Sequence, residues 1–116
     1  MNTYCKIYKL KSERVNDYVN CHRSISVDQI NTLSGAGAEN LEIYMWGDYC
    51  IITYDCIEFE QYIDNLGRSV ENDRWQKIVS PMFEEEPVFN GENSLKPLEK
   101  IFSLKEAIKN WKEDSK

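Results

Sequence analysis

Residues 40–56 read NLEIYMWGDYCIITYDC, and their alternation decides the fold. Gly47-Asp48 separates two runs rich in β-branched and aromatic residues, the pattern of a hairpin closed by a tight primed turn. In the first arm Leu41, Ile43 and Met45 alternate with Glu42, Tyr44 and Trp46. In the second, Cys50, Ile52 and Tyr54 alternate with Tyr49, Ile51 and Thr53. Both faces are fairly apolar, whereas a sheet covered on one side only reads polar on the other. Helices can cover one face. A second copy of the same sheet is the simplest cover for the other, so the expectation is a homodimer through the open sheet face.

Working outward, residues 3–10, TYCKIYKL, read as a strand. Ser12 is placed to cap one long helix over about 13–34, which Gly35 and Gly37 end. Beyond the hairpin, Glu58 to Leu66 is helical with Gly67 as its stop. A second helical piece from Val70 to Met82 carries Trp75, Ile78, Val79 and Met82 on one side. The acidic stretch 83–94, FEEEPVFNGENS, reads as a solvated loop. Residues 95–103, LKPLEKIFS, read as a last strand, with Pro97 marking an edge or the strand's start. Leu104, Ala107, Ile108 and Trp111 then recur at helical spacing. The order β-α-β-β-α-β is that of an α+β, ferredoxin-like sandwich with an extra C-terminal helix. The expected division is a domain over 1–104 and a helical extension over 105–116.

A chain of 116 residues with 41% hydrophobic residues can bury a core. Its formal charge of −6 argues against nucleic acid, because counterion release needs a basic patch. No apolar run reaches the roughly 20 residues of a bilayer span, and the N-terminus lacks a signal-peptide pattern. The expectation is no membrane partner and a cytoplasmic location. The four cysteines, Cys5, Cys21, Cys50 and Cys56, form no CxxC pair, and one histidine is too few for a zinc site of the usual kind. They read as reduced thiols. No dinucleotide, phosphate-loop or metal motif occurs, so no cofactor is expected.

The single histidine, His22, lies four residues after Tyr18, and the run 15, 18, 22, 25, 29 steps by three and four. Both side chains therefore face the apolar side of the helix, toward the sheet. A histidine so placed is more often a hydrogen-bonded core residue, and it can also be a group that moves protons on a small ligand. Cys21 points about 100° away from it and is not expected in the same pocket.

Three sets of residues carry a resemblance. They are Y-x-x-x-H on the first helix (Tyr18, His22), Gly37-Ala38 followed by Asn40, Ile43 and Tyr44, and Arg74-Trp75 on the later helix. In their order and spacing over about residues 3–104, the chain resembles the L-rhamnose mutarotase family, small dimeric α/β-barrel proteins that interconvert the anomers of a 6-deoxy sugar. The resemblance implies an isomerase without cofactor, with His22 as proton donor. It implies that Tyr18 and Trp75 hold the monosaccharide. Leu41 stands where the family has a hairpin tyrosine, and Gln76 where it has a second tryptophan. Both positions wall the implied pocket, so L-fucose is a rival to L-rhamnose.

Anomer exchange asks little of a protein. The ring oxygen gains a proton, the C1 hydroxyl loses one, and the ring opens to an aldehyde and recloses. Imidazole suits this role because its ordinary pKa, about 6.5, lies near working pH. Arg74 can donate to sugar hydroxyls or pair with Asp73 or Glu71. The complementary base stays open among Asp28, Asp73, ordered water and His22 itself. Two alternatives stand beside the enzyme: a non-catalytic dimeric sugar-binding or sensing module of the same fold, and an oxygenase-like relative with His22 on a haem.

Overall fold

The computed structural model describes residues 1–84 and 96–114. The hairpin forms as expected. Strands β2 (Ala38–Trp46) and β3 (Tyr49–Cys56) pair antiparallel, with Trp46 opposite Tyr49. Gly47 takes φ 59°, while Asp48 has no positive φ, the sign pattern of a II′ turn rather than I′. Strand β1 (Asn2–Lys9) pairs antiparallel with β3 from the other side, giving the order β1-β3-β2.

One irregularity shapes the interior. The ladder jumps between Glu39 and Glu42, so Asn40 and Leu41 together oppose Tyr54. Asn40 sits at φ 51°, a left-handed conformation that its short amide tolerates, and its Nδ2 donates to Asp55 Oδ2 at 2.9 Å. The bulge switches the strand's parity. Ala38 before it and Leu41, Ile43 and Met45 after it all face the helices.

Helices α1 (Val15–Arg23) and α2 (Val27–Ala36) precede the hairpin, and α3 (Phe59–Gly67) and α4 (Val70–Val79) follow it. The expected single helix over 13–34 is therefore two. Ser26 takes extended backbone and its Oγ accepts from Gln29 N at 3.1 Å, so the residue starts a new helix. Nor does Ser12 act as a cap. It opens a short 3₁₀ turn, and its hydroxyl donates to Asp48 Oδ2 at 2.8 Å. The later helix stops at Val79, and Ser80–Met82 continue as a 3₁₀ turn with Pro81 inside it. Ile78, expected on the packed side, is exposed. Helix α2 ends on Gly37 at φ 115°, as a left-handed C-cap.

The expected fourth strand over 95–103 is not formed in its described part, 96–103. Only Leu98 N reaches the outer edge of β1, at Thr3 O, 2.7 Å away. At the other end of that edge Phe83 bridges Leu10, and Glu84 N donates to Lys9 O. The expected acidic loop over 83–94 otherwise lies outside the described residues. Helix α5 (Leu104–Asp114) forms, but Leu104, Ile108 and Trp111 on its apolar side are exposed. No helix among the described residues is long and apolar enough to cross a membrane.

The core is divided. Tyr4, Ala36, Tyr54, Cys56 and Tyr62 form one cluster, and Leu10, Tyr18, Cys50, Val79 and Met82 the other. Both lie on the helix-covered face of the sheet, and Ile52 packs against each. The outer face carries Tyr44, Trp46, Tyr49, Ile51 and Ile7 in adjacent rows, with Tyr44 54% and Trp46 73% exposed.

Candidate active site

Between the two clusters lies a cavity of about 170 Å³. Each helix α1 to α4 and all three strands contribute to its wall. His22, Tyr18, Leu41, Trp75 and Gln76, the residues singled out from the sequence, all line it. A second hollow of about 210 Å³ adjoins it, sharing Tyr18, His22 and Ile43.

His22 is half-buried, with its ring 4.3 Å from that of Tyr18 and edge-on to Trp75 at 4.9 Å and 88°. Its Nδ1 lies 2.7 Å from the carbonyl oxygen of Tyr18. A carbonyl only accepts, so Nδ1 carries a hydrogen and donates it one turn back along α1. That bond fixes the tautomer: a neutral ring keeps its lone pair on Nε2, and a protonated ring keeps a donor there. Nε2 has no protein partner among the described residues. Cys21 does not line the cavity, as expected, but its Sγ touches Nδ1 at 3.6 Å and donates to Tyr18 O at 3.0 Å. Burial pushes this thiol's pKa up, which favours the neutral thiol.

Tyr18 is buried, and its hydroxyl is hydrogen-bonded to Cys50 Sγ at 3.2 Å. Burial, with the Cys50 thiol beside it, drives the phenol's pKa far up, so the hydroxyl is neutral. The four thiols are free, with Cys50 and Cys56 buried. Trp75 and Leu41 are half-buried and give the cavity apolar wall, while Gln76 lies at its exposed rim.

Arg74 does not reach the cavity. It pairs with Glu71 at 3.5 Å on the surface. Asp28 and Asp73 are exposed and absent from the wall, and Asp73 pairs with Lys77 at 3.0 Å. Neither lies at the wall that His22 lines. Among the described residues no group of three metal-ligating side chains comes together.

Gln29, Tyr54 and Lys6 are among the polar wall residues that were not read as site residues from the sequence. Gln29 is 1% exposed; its Nε2 donates to Asn72 Oδ1 at 3.2 Å, and its Oε1 has no partner. Tyr54 is 2% exposed, and its hydroxyl also has none. Lys6 stands on the inner face of β1 opposite Ile52, between Tyr4 and Tyr8. Burial lowers its pKa. Signals for two of them were present: Lys6 interrupts an inward run of Tyr4, Tyr8 and Leu10, and Gln29 ends the stripe that holds Tyr18 and His22. Nothing in the sequence says that Tyr54 lacks a partner.

Solved structures share this fold at low sequence identity. An L-rhamnose mutarotase from Formosa agariphila superposes with a TM-score of 0.64 at 15% identity, over 90% of this chain and 99% of that one. A candidate antibiotic biosynthesis monooxygenase from Nitrosomonas europaea gives 0.60 at 9% identity, over 79% and 99%. Tetracenomycin F2 cyclase from Streptomyces glaucescens gives 0.56 at 8%, over 89% and 96%. No curated protein matches the chain in sequence. The sequence profile of L-rhamnose mutarotases matches residues 3–104, nearly the whole described body of the protein, and the chain belongs to that family.

Proposed function

We propose that the protein is an aldose mutarotase that interconverts the α and β anomers of a 6-deoxy sugar such as L-rhamnose or L-fucose, with His22 moving the proton. The observation that carries this reading is the fixed imidazole: Nδ1 is held by the Tyr18 carbonyl, and Nε2 has no partner among the described residues at a cavity wall. No carboxylate lines that wall among the described residues. One group then serves both half-steps. Neutral Nε2 takes the proton of the C1 hydroxyl and returns it to the ring oxygen as the C1–O5 bond breaks. Both oxygens are bonded to C1, so the ring nitrogen serves them from one position. The aldehyde turns about C1–C2, and the reverse transfer closes the other anomer. Trp75 offers an aromatic face for the sugar's C–H side. Tyr18 packs the imidazole and can accept from a sugar hydroxyl.

We place two such chains back to back, covering Tyr44 and Trp46 of each sheet with the partner's, in a dimeric barrel. Four unpaired thiols suit the reducing cytoplasm.

The test is anomer exchange by NMR saturation transfer across L-rhamnose, L-fucose and related aldoses, for wild type and His22→Gln together. The variant is expected to lose about 10²-fold or more in rate while keeping its affinity. A wild type that accelerates none of the sugars over buffer would refute the enzyme. Sugar binding without acceleration would leave a sensing module.

A further inference from the structure

The cavity wall has an electrostatic sign that a 6-deoxy sugar does not use. The chain carries 20 acidic residues against 14 basic ones, yet among the described residues no carboxylate lines the cavity, and Lys6 does. The position makes this unusual. On the inner face of β1, Tyr4 belongs to one core cluster and Tyr8 packs against the other. The residue between them spans the gap, directly opposite Ile52. Packing alone asks for an apolar side chain there. A lysine at such a place normally meets a carboxylate, since removing an ammonium from water without a partner is unfavourable. Lys6 makes no hydrogen bond or ion pair with the described residues.

Two further polar atoms at the same wall are also without partners. The Tyr54 hydroxyl belongs to a residue one diagonal step from Lys6, since Tyr54 faces Tyr4 across the ladder while Lys6 faces Ile52. The other is Gln29 Oε1. Those two buried atoms left unpaired call for an explanation, and a ligand that also meets the half-buried Lys6 supplies one.

We infer that the cavity takes an aldose bearing a carboxylate, an aldohexuronate, whose carboxylate lies against Lys6 Nζ and the Tyr54 hydroxyl while a ring hydroxyl donates to Gln29 Oε1. The inference rests on the mutarotase reading of the same site and names a substrate class beyond the 6-deoxy sugars. One ammonium and one neutral phenol match a monoanion. A phosphate dianion is usually met by an arginine fork or a long helix N-terminus, and no arginine lines this cavity. The carboxylate takes no part in the reaction. It orients the ring so that C1 and O5 meet His22 at the same wall. Burial lowers the Lys6 pKa, and a carboxylate beside it acts in the opposite direction, favouring the ammonium.

The test uses sugars that share ring stereochemistry and differ only at C6: D-galacturonate with D-galactose and D-fucose, D-glucuronate with D-glucose, and L-guluronate with L-gulose. Exchange is measured for wild type and Lys6→Met, with amide spectra confirming that the variant is folded. In at least one set the uronate is expected to exchange about tenfold faster than its neutral partners on wild type. Lys6→Met is expected to abolish that preference, costing the uronate more than its neutral partners. Added salt should weaken the uronate reaction alone, a reading that needs no variant. Preference for the neutral member in every set, or an equal loss for charged and neutral sugars in Lys6→Met, overturns the inference. If wild type accelerates nothing, the mutarotase reading fails separately. Chemical-shift titrations with D-galacturonate, D-glucuronate and L-guluronate and their neutral partners then decide this one: Lys6-dependent binding of a uronate upholds it, and its absence overturns it.

Discussion

Replacing Tyr54 by Phe should make the protein more stable and worse at its task. The ring is 2% exposed and packs among Tyr4, Phe59 and Tyr62, with centroids 5.7, 6.5 and 5.2 Å away. Phenylalanine keeps all of that. What it removes is a hydroxyl that folding takes out of water and leaves without a partner. Such a group destabilises by about 1–3 kcal/mol, and the lower end applies because the neighbouring cavity softens the desolvation. For 116 residues the unfolding entropy is about 0.24 kcal/mol per kelvin, so a gain of about 1 kcal/mol raises the midpoint by about 4 °C. Urea titration and calorimetry at one fixed protein concentration measure it. Sugar added at saturation should stabilise wild type more than the variant, so the gap narrows or reverses. A Tyr54→Phe protein less stable than wild type by about 1 kcal/mol would refute the reasoning, because the hydroxyl would then have a partner in the ligand-free fold.

Two other outcomes follow from the same structure. Burial pushes the Tyr62 phenol up to about 12, against about 10 in an unfolded chain, so the folded state holds its proton longer. Its contribution is complete below about pH 10 and is lost as pH rises toward 12, so urea midpoints should fall across that window and fall less in Tyr62→Phe; equal slopes would reject the assignment. Trp46→Glu places a charge on the outer sheet face at a residue 73% exposed, so it should leave the monomer fold intact and halve the sedimenting mass; a wild type that already sediments as a monomer would remove the dimer.

The sheet was legible because its signals are local. Gly47-Asp48 between two alternating runs specifies turn and register together, and Ile43 opposite Ile52 and Met45 opposite Cys50 face inward as the alternation requires. The inward stripe of Val15, Tyr18 and His22 was legible for the same reason. The split of the first helix was missed through reading Gly35 and Gly37 as its first interruption. Yet Ser26-Val27-Asp28-Gln29 has the Ser-x-x-Gln spacing of a helix start, and Gln29 N does bond Ser26 Oγ. The last strand was read from composition over 95–103, but a strand at a sheet edge depends on its neighbour, and here the bond from Leu98 to Thr3 is the one backbone bond that the described segment makes to the sheet. Lys6 was read as one of two lysines in a strand. Its meaning depends on which face it takes, and that is settled only by pairing with Ile52.

The site follows from how the core is divided. A sandwich of this size could close its helices over one continuous cluster, and Ile52 touches both halves as if to join them. Three local features keep them apart. The helix break at Ser24–Ser26 lets α2 carry Gln29 inward to meet Asn72 of α4 instead of continuing the line of α1. The bulge at Asn40–Leu41 changes the parity of β2 over Tyr54. Lys6 puts a cation where a branched aliphatic would complete the packing. Each departs from the choice that favours stability alone, and all three bear on the cavity that His22 faces. Chains that sacrifice packing at one place and nowhere else do so where something binds. Filling the gap, with Lys6→Leu and Gln29→Leu together, should therefore yield a more stable protein whose imidazole has lost its substrate.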